Sequence, residues 1–193
     1  MALSKIDAAN FLTGTIPDTN INNASLDNVT GLPAGVGGKV LQVVSTAKTD
    51  GFSTTSSSLT DITGLSVAIT PSSSSNKIFI TAYINGLVDA SSQAYGGRYQ
   101  LVRGSTEIAK ADASGSKQLG TGSPGGFDGN PFTANTTINF LDSPSSTSEL
   151  TYKIQVAHTQ SQTIRVNEAK NNPNSATFGL KIISTITAYE IAG

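Results

Sequence analysis

His158 is the only histidine in the chain, and cysteine is absent. A Ser–His–Asp arrangement for nucleophilic catalysis would therefore have one possible base. His158 falls in phase with Tyr152, Ile154 and Val156 in an alternating run. That phase points it toward the core or an interface, so a structural role is expected. No Gly-x-Ser-x-Gly elbow stands in a strand–turn–helix context. Glycoside cleavage needs two convergent carboxylates, but the four Glu (Glu107, Glu149, Glu168, Glu190) and nine Asp are mostly isolated along the sequence. Calcium loops of the Asp-x-Asp-x-Asp-Gly type are missing, and Asp128-Gly129-Asn130 reads first as a turn. The glycines at 120–129 lack the Gly-Lys-Ser/Thr and the helix of a phosphate loop. On these grounds the chain is expected not to be an enzyme, with no catalytic residue, no metal and no cofactor.

What remains is a binding surface. Sugar recognition combines aromatic faces with planar polar side chains on loops. Two stretches carry that combination. One is Asn85 to Arg98, with Asp89, Gln93, Tyr95 and Arg98. The other is the Gly-rich run from Ser114 to Asn135, with Phe127, Asp128, Asn130 and Phe132. A structureless run that long in a compact domain is usually functional or disordered. The rival role for the same aromatics is to anchor the loops on the head or on a neighbouring chain.

The elements that must hold these loops are strands. Charged residues make up 13% of the 193 residues, against about 25% in an average soluble domain. Ser, Thr, Gly and Asn supply the polarity instead, which suits turns and strands. A net charge of −1 offers no field for nucleic acid or an anionic membrane, so neither is an expected partner. The opening Met-Ala-Leu-Ser-Lys-Ile-Asp lacks an apolar signal core, so export by a cleavable signal is not expected.

From Lys39 onward, strands are expected at Val40–Val44, Leu59–Ile69 with a bend at Thr63-Gly64, and Lys77–Ile84. A hairpin is expected from Arg98 to Lys110 around Gly104-Ser105. Further strands are expected at Thr136–Leu141, Leu150–His158, Ile164–Val166 and Thr177–Ile191. The Ser-rich runs 56–58, 72–75 and 143–148 read as turns. Seven to nine short alternating strands with no amphipathic helix predict an all-β antiparallel sandwich of jelly-roll type.

Residues 1–33 follow another rule. Ile6, Phe11, Ile16, Ile21 and Leu26 recur every five residues, and Ser4, Ala9, Gly14, Thr19 and Ala24 sit two before them. Neither helix nor strand has that period; pentapeptide coils do. Five units make barely more than one turn, too little to bury their own faces. The segment must then find burial on sister chains, a partner protein or its own head. A Pro/Gly-rich linker, 34–38, separates it from the head, 39–193.

Several stretches resemble virion proteins of tailed bacteriophages, marine and cyanobacterial ones (cyanophages) especially. They are Gly-Gly-Lys-Val-Leu-Gln-Val-Val at 37–44, Leu-Thr-Asp-Ile-Thr-Gly-Leu-Ser-Val-Ala-Ile-Thr-Pro at 59–71 and Leu-Val-Arg-Gly-Ser-Thr at 101–106. Phe-Leu-Asp-Ser-Pro at 140–144, Ile-Thr-Ala-Tyr-Glu-Ile at 186–191 and Leu-Thr-Gly-Thr-Ile-Pro at 12–17 join them. The resemblance implies a homotrimeric tail-fibre component of the virion, assembled in the host cytoplasm. Its N-terminal segment (Ile6, Phe11, Ile16, Ile21, Leu26) would attach to another virion structural protein and help form the trimer. Its β head would contact a host-surface glycan through Tyr95, Arg98, Phe127, Asp128, Asn130 and Phe132. Other roles in keeping with it are a connector or capsid-decorating head fibre without a receptor, and a small surface-polysaccharide hydrolase.

Overall fold

The computed structural model describes residues 39–89, 96–125, 133–158, 162–177 and 179–193, and all of them belong to the unit Gly38–Gly193. The period-five segment 1–33, with Ile6, Phe11, Ile16, Ile21 and Leu26, and the linker 34–38 lie outside the described residues.

The described residues contain no helix and form ten strands: β1 (Val40–Lys48), β2 (Phe52–Thr54), β3 (Thr60–Ile69), β4 (Lys77–Asp89), β5 (Gly97–Arg103), β6 (Thr106–Ile108), β7 (Ala134–Asp142), β8 (Leu150–His158), β9 (Thr163–Val166) and β10 (Ser184–Ile191). One sheet runs β1-β10-β4-β9-β2, with β7 on the far edge of β4; the other runs β3-β8-β5-β6. All strand pairs are antiparallel. With β2 and β9 taken as prolongations of β1 and β10, the sheets read β1-β10-β4-β7 and β3-β8-β5-β6. That is the double Greek key of a jelly roll.

Strict alternation fills the space between the sheets. Ile78, Ile80 and Ile84 of β4, Ile138 of β7 and Ile186 of β10 meet Leu65, Val67 and Ile69 of β3 and Ile154 and Val156 of β8. Each fully buried aliphatic side chain contributes about 1.5–3 kcal/mol. Where the sequence placed a bend, Gly64 takes a φ of +82°, and the β3–β8 register shifts between Asp61 and Ser66. The hairpin likewise turns at Gly104, with φ +59°.

Three departures share one cause. β4 does not stop at Ile84 but runs to Asp89, so Asn85–Asp89 is strand rather than loop. The expected long strand 177–191 begins only at Ser184. And β2 was not anticipated at all. The register explains these together. β9 pairs Thr163–Val166 with Asp89–Gly86, and β10 pairs Thr185–Ile191 with Tyr83–Lys77. β7 occupies the other edge of β4 as far as Gly86, so β9 and β10 lie end to end along one edge. They are a single line of strand from which residues 168–183 are extruded. β1 and β2 repeat the line one position out, with Lys48 opposite Ser184 and Phe52 opposite Val166.

Asn167 closes the gap. It is fully buried with a φ of +63°, a left-handed turn that Asn tolerates better than most residues. Its backbone N–H donates to the Asn85 carbonyl at 2.8 Å. Its side-chain NH₂ donates to the carbonyls of Lys48 (2.9 Å) and Asp50 (3.1 Å). Its side-chain oxygen accepts from the Ser184 hydroxyl at 2.6 Å, which in turn accepts from the Asn85 N–H at 3.0 Å. The side chains thus replace the ladder bonds that the extruded segment cannot make.

Asn167→Ala is expected to cost about 2–4 kcal/mol, because it strands buried backbone carbonyls and keeps the left-handed strain. Asn167→Gly should cost less, since it relieves that strain. Urea denaturation of the two variants and the parent measures both; an unchanged midpoint for Asn167→Ala would refute the role of this seam.

Candidate functional site

Of the nominated loop residues, Tyr95, Phe127, Asp128, Asn130 and Phe132 lie outside the described residues, as does Gln93. Arg98 is described, and it stands on β5 rather than in a loop. It is half-buried and donates from Nη1 to Oε1 of Gln118. The backbone of Gly120 lies over its stem: a Cβ there would come within 3.1 Å of the Arg98 Cβ and 2.8 Å of the Tyr99 carbonyl. The first part of the Gly-rich stretch is therefore packed onto the second sheet. Thr121 N–H donates to the Tyr99 carbonyl (2.8 Å), and Tyr99 N–H donates to that of Gly122 (2.8 Å). Beneath it Gln100 is fully buried, donating to the carbonyls of Leu101 and Ile108.

His158 is buried at the end of β8, in the phase the alternation assigned to it. Its Nε2 meets the Thr55 carbonyl, and its backbone N–H donates to that of Ser56 at 3.1 Å. The residue pins the 55–58 turn to the sandwich.

The charged groups tie elements together. Asp142, at the end of β7, accepts from Arg103 of β5 (2.6 Å) and from the Tyr152 hydroxyl of β8 (2.7 Å), which links the two sheets. Burial, reinforced by the Asp142 carboxylate, pushes the Tyr152 hydroxyl far above its ordinary value. Burial works against the Arg103 charge, but Asp142 more than offsets it and raises its pKa. Asp89 and Glu168 converge on Arg165 (2.7 and 3.5 Å), and Glu168 also meets Lys181 at 2.9 Å. Asp89 accepts from the Asn171 N–H as well, at 3.0 Å. Both carboxylates thus clamp the base of the 168–183 excursion. Among the described residues no group of three or more His, Asp or Glu is placed to hold a metal ion.

The two outer sheet faces differ in chemistry. On the first sheet, the register sets three rows across β1, β10, β4 and β7: Val43–Tyr189–Phe79–Leu141, Ser45–Thr187–Thr81–Asn139 and Ala47–Thr185–Tyr83–Thr137. None of these twelve residues is charged, and Lys77 stands at the rim. The Phe79 and Tyr189 rings meet at 6.0 Å, the Ser45 and Thr187 hydroxyls at 2.8 Å. Val43 is 54% exposed and Leu141 48%. The second sheet carries charge instead: Asp61 pairs with Lys153 at 2.8 Å, and Glu107 with Lys110 at 2.7 Å. Alternation along each strand shows which residues point outward. It does not show that these four strands are neighbours, so the uncharged face was not visible in the sequence.

No protein-family model matches this chain, and no curated protein matches its sequence.

Glu190, buried on β10, accepts from Ser72 N–H (2.6 Å), the Ser72 hydroxyl (2.7 Å) and Asn76 (2.6 Å). Burial alone would raise its carboxyl, but these three donors outweigh it and hold the group below its ordinary 4.5. A carboxyl depressed by folding contributes stability that is full above the unfolded value and disappears as pH falls through the folded one. Stability is therefore expected to decline as pH drops below 4.5. Glu190→Gln should be less stable at neutral pH and flatter across that acid range. Chemical denaturation at a series of pH values tests it; parallel curves would exclude Glu190 as a source of the slope.

Proposed function

We propose that this chain is a structural component of a phage virion, a homotrimeric tail-fibre protein whose β head contacts the host surface during adsorption. The bare, uncharged outer face of β1-β10-β4-β7 carries the proposal on the side of assembly. An antiparallel sheet that faces water normally covers that side with polar side chains, while a charge-free face with exposed aliphatics and aromatics is cheaper to bury. Here twelve adjacent positions hold hydroxyls, amides, aliphatics and three aromatic rings. Burying such a face against a neighbour desolvates no charge, and buried interface centres are depleted in charge and rich in aromatics. Copies joined through residues 1–33 would hold their heads at high effective concentration, so a modest affinity of face for neighbour suffices. The resemblance of the motifs at 37–44, 59–71 and 186–191 to phage virion proteins supplies the biological setting.

Binding is favoured over bond cleavage because Asp89, Asp142, Glu168 and Glu190 are each engaged in ties that hold the fold. A connector or capsid-decorating role would use the same face and lack only the receptor.

Light scattering on the full chain is expected to give three times the 19.8 kDa chain mass. Thr81→Lys with Thr187→Lys should leave the circular dichroism unchanged and release monomers. A monomeric parent overturns the trimer. Immunogold labelling of purified particles should place the protein on the tail, and fluorescent protein should bind host cells. Labelling on the capsid without cell binding would favour the decorating role.

A further inference from the structure

We infer that a cleft between β5, β6 and the 116–119 turn takes an anionic group, a carboxylate or phosphate borne on a saccharide. The inference rests on the fibre reading for the saccharide and on this chain's own residues for the anion. The cleft, about 230 Å³, is lined by Arg98, Glu107, Lys110, Ser116, Lys117 and Gln118, with Leu119 beside them. Three of the twelve cationic side chains of the whole sequence meet there, against one carboxylate. That carboxylate, Glu107, is taken up by Lys110 at 2.7 Å. Arg98 and Lys117 are left without a carboxylate partner among the described residues.

Arg98 differs from the other two arginines. Arg103 is held by Asp142 at 2.6 Å, and Arg165 by Asp89 at 2.7 Å. Arg98 is instead oriented by the neutral amide oxygen of Gln118, which fixes the guanidinium without cancelling its charge. Its Nε is buried and has no hydrogen-bond partner among the described residues. Since the Gly120 backbone covers the stem, little side-chain freedom remains to be lost on binding. A planar guanidinium matches the two oxygens of a carboxylate or phosphate. Lys117 is presented by a tight turn, in which its N–H donates to the Ser114 carbonyl at 3.2 Å and Gly115 adopts φ +57°. Ser116 and Gln118 also line the cleft, and a hydroxyl and an amide are groups that hydrogen-bond sugar hydroxyls. A cleft of this volume accepts one sugar-sized group rather than a strand, and the chain's net charge of −1 provides no long-range field for nucleic acid.

The test is a titration of the full chain with hexagalacturonate, glucose phosphate and, as the neutral control, maltohexaose. The two anions separate carboxylate from phosphate preference. At least one should bind, and its affinity should fall about tenfold between roughly 50 and 500 mM NaCl. Lys117→Gln, an exposed change that leaves the fold alone, should weaken binding about fivefold. Arg98→Gln should weaken it more, and Lys77→Gln on the other sheet should not. Equal binding of maltohexaose, no binding of either anion, an unaffected Lys117→Gln, or tighter binding of a single-stranded oligonucleotide would each overturn the inference. Failure of the fibre reading has a different signature: the protein would be missing from purified particles, while the titration would still decide the cleft. If Lys117→Gln adsorbs to host cells as the parent does, the cleft is not the receptor site.

Discussion

The long edge of β4 must stay hydrogen-bonded across the point where the chain leaves it. Among the described strands β4 alone pairs with β7, β9 and β10 alike, and on one edge its partner changes from β9 to β10 at Asn85. A buried backbone group without a partner costs about 1–3 kcal/mol. Asn167 resolves this with an amide that imitates a peptide group, donating to two carbonyls of the β1–β2 connection and accepting from Ser184. Its left-handed backbone turns the chain outward at the same place. The sandwich can therefore extrude residues 168–183 without opening its core, and the Arg165 clamp on Asp89 and Glu168 anchors the segment at its foot. Gly86, one residue further along, shows how tight this region is: a Cβ would overlap the Tyr99 hydroxyl and come within 3.1 Å of the Arg165 carbonyl.

Scarcity of charge shapes the rest. Much of the charge on the described strands is used internally. Arg103 and Asp142 tie sheet to sheet, and Glu190 secures the 72–76 turn. The outer face of β1-β10-β4-β7 is left with Lys77 alone, at its rim. Ionic surfaces resist burial because each charge must be desolvated, whereas hydroxyls and amides need only new hydrogen-bond partners. A face of that kind tolerates water and tolerates a neighbour.

Some of this was legible in the sequence because it is local. The alternation of Leu150 to His158 gave β8 its observed bounds, and Gly64 and Gly104 marked bends that need positive φ. What was not legible is what depends on pairing. The run from Thr177 to Ile183 alternates like a strand, yet its described residues form only an isolated bridge, Lys181 to Glu168, and Ile183 ends 50% exposed. Asn85 to Asp89 looked like a loop because Asn and Gly interrupt the apolar run. It is a strand because β9 returns to pair with it. Arg98 stood out as a polar residue near a loop, but its companions Lys110, Lys117 and Gln118 belong to segments up to twenty residues away and meet it only through the fold of 109–121.

The two sheet faces can be understood as one division of labour. A jelly roll closes its core with eight strands and leaves two broad outer surfaces. If both were charged, burying either would carry a desolvation cost. If both were neutral, nothing in their charge would distinguish one from the other. Here the loop 109–125 covers part of the second sheet and gathers a small surplus of positive charge beside it, while the first sheet stays neutral and open. With a net charge of −1 over 193 residues, even two uncompensated cations form a distinct local feature. Such a feature acts within about one Debye length, near 8 Å at physiological salt. Contact in the cleft, rather than steering from afar, is therefore what its arrangement can select.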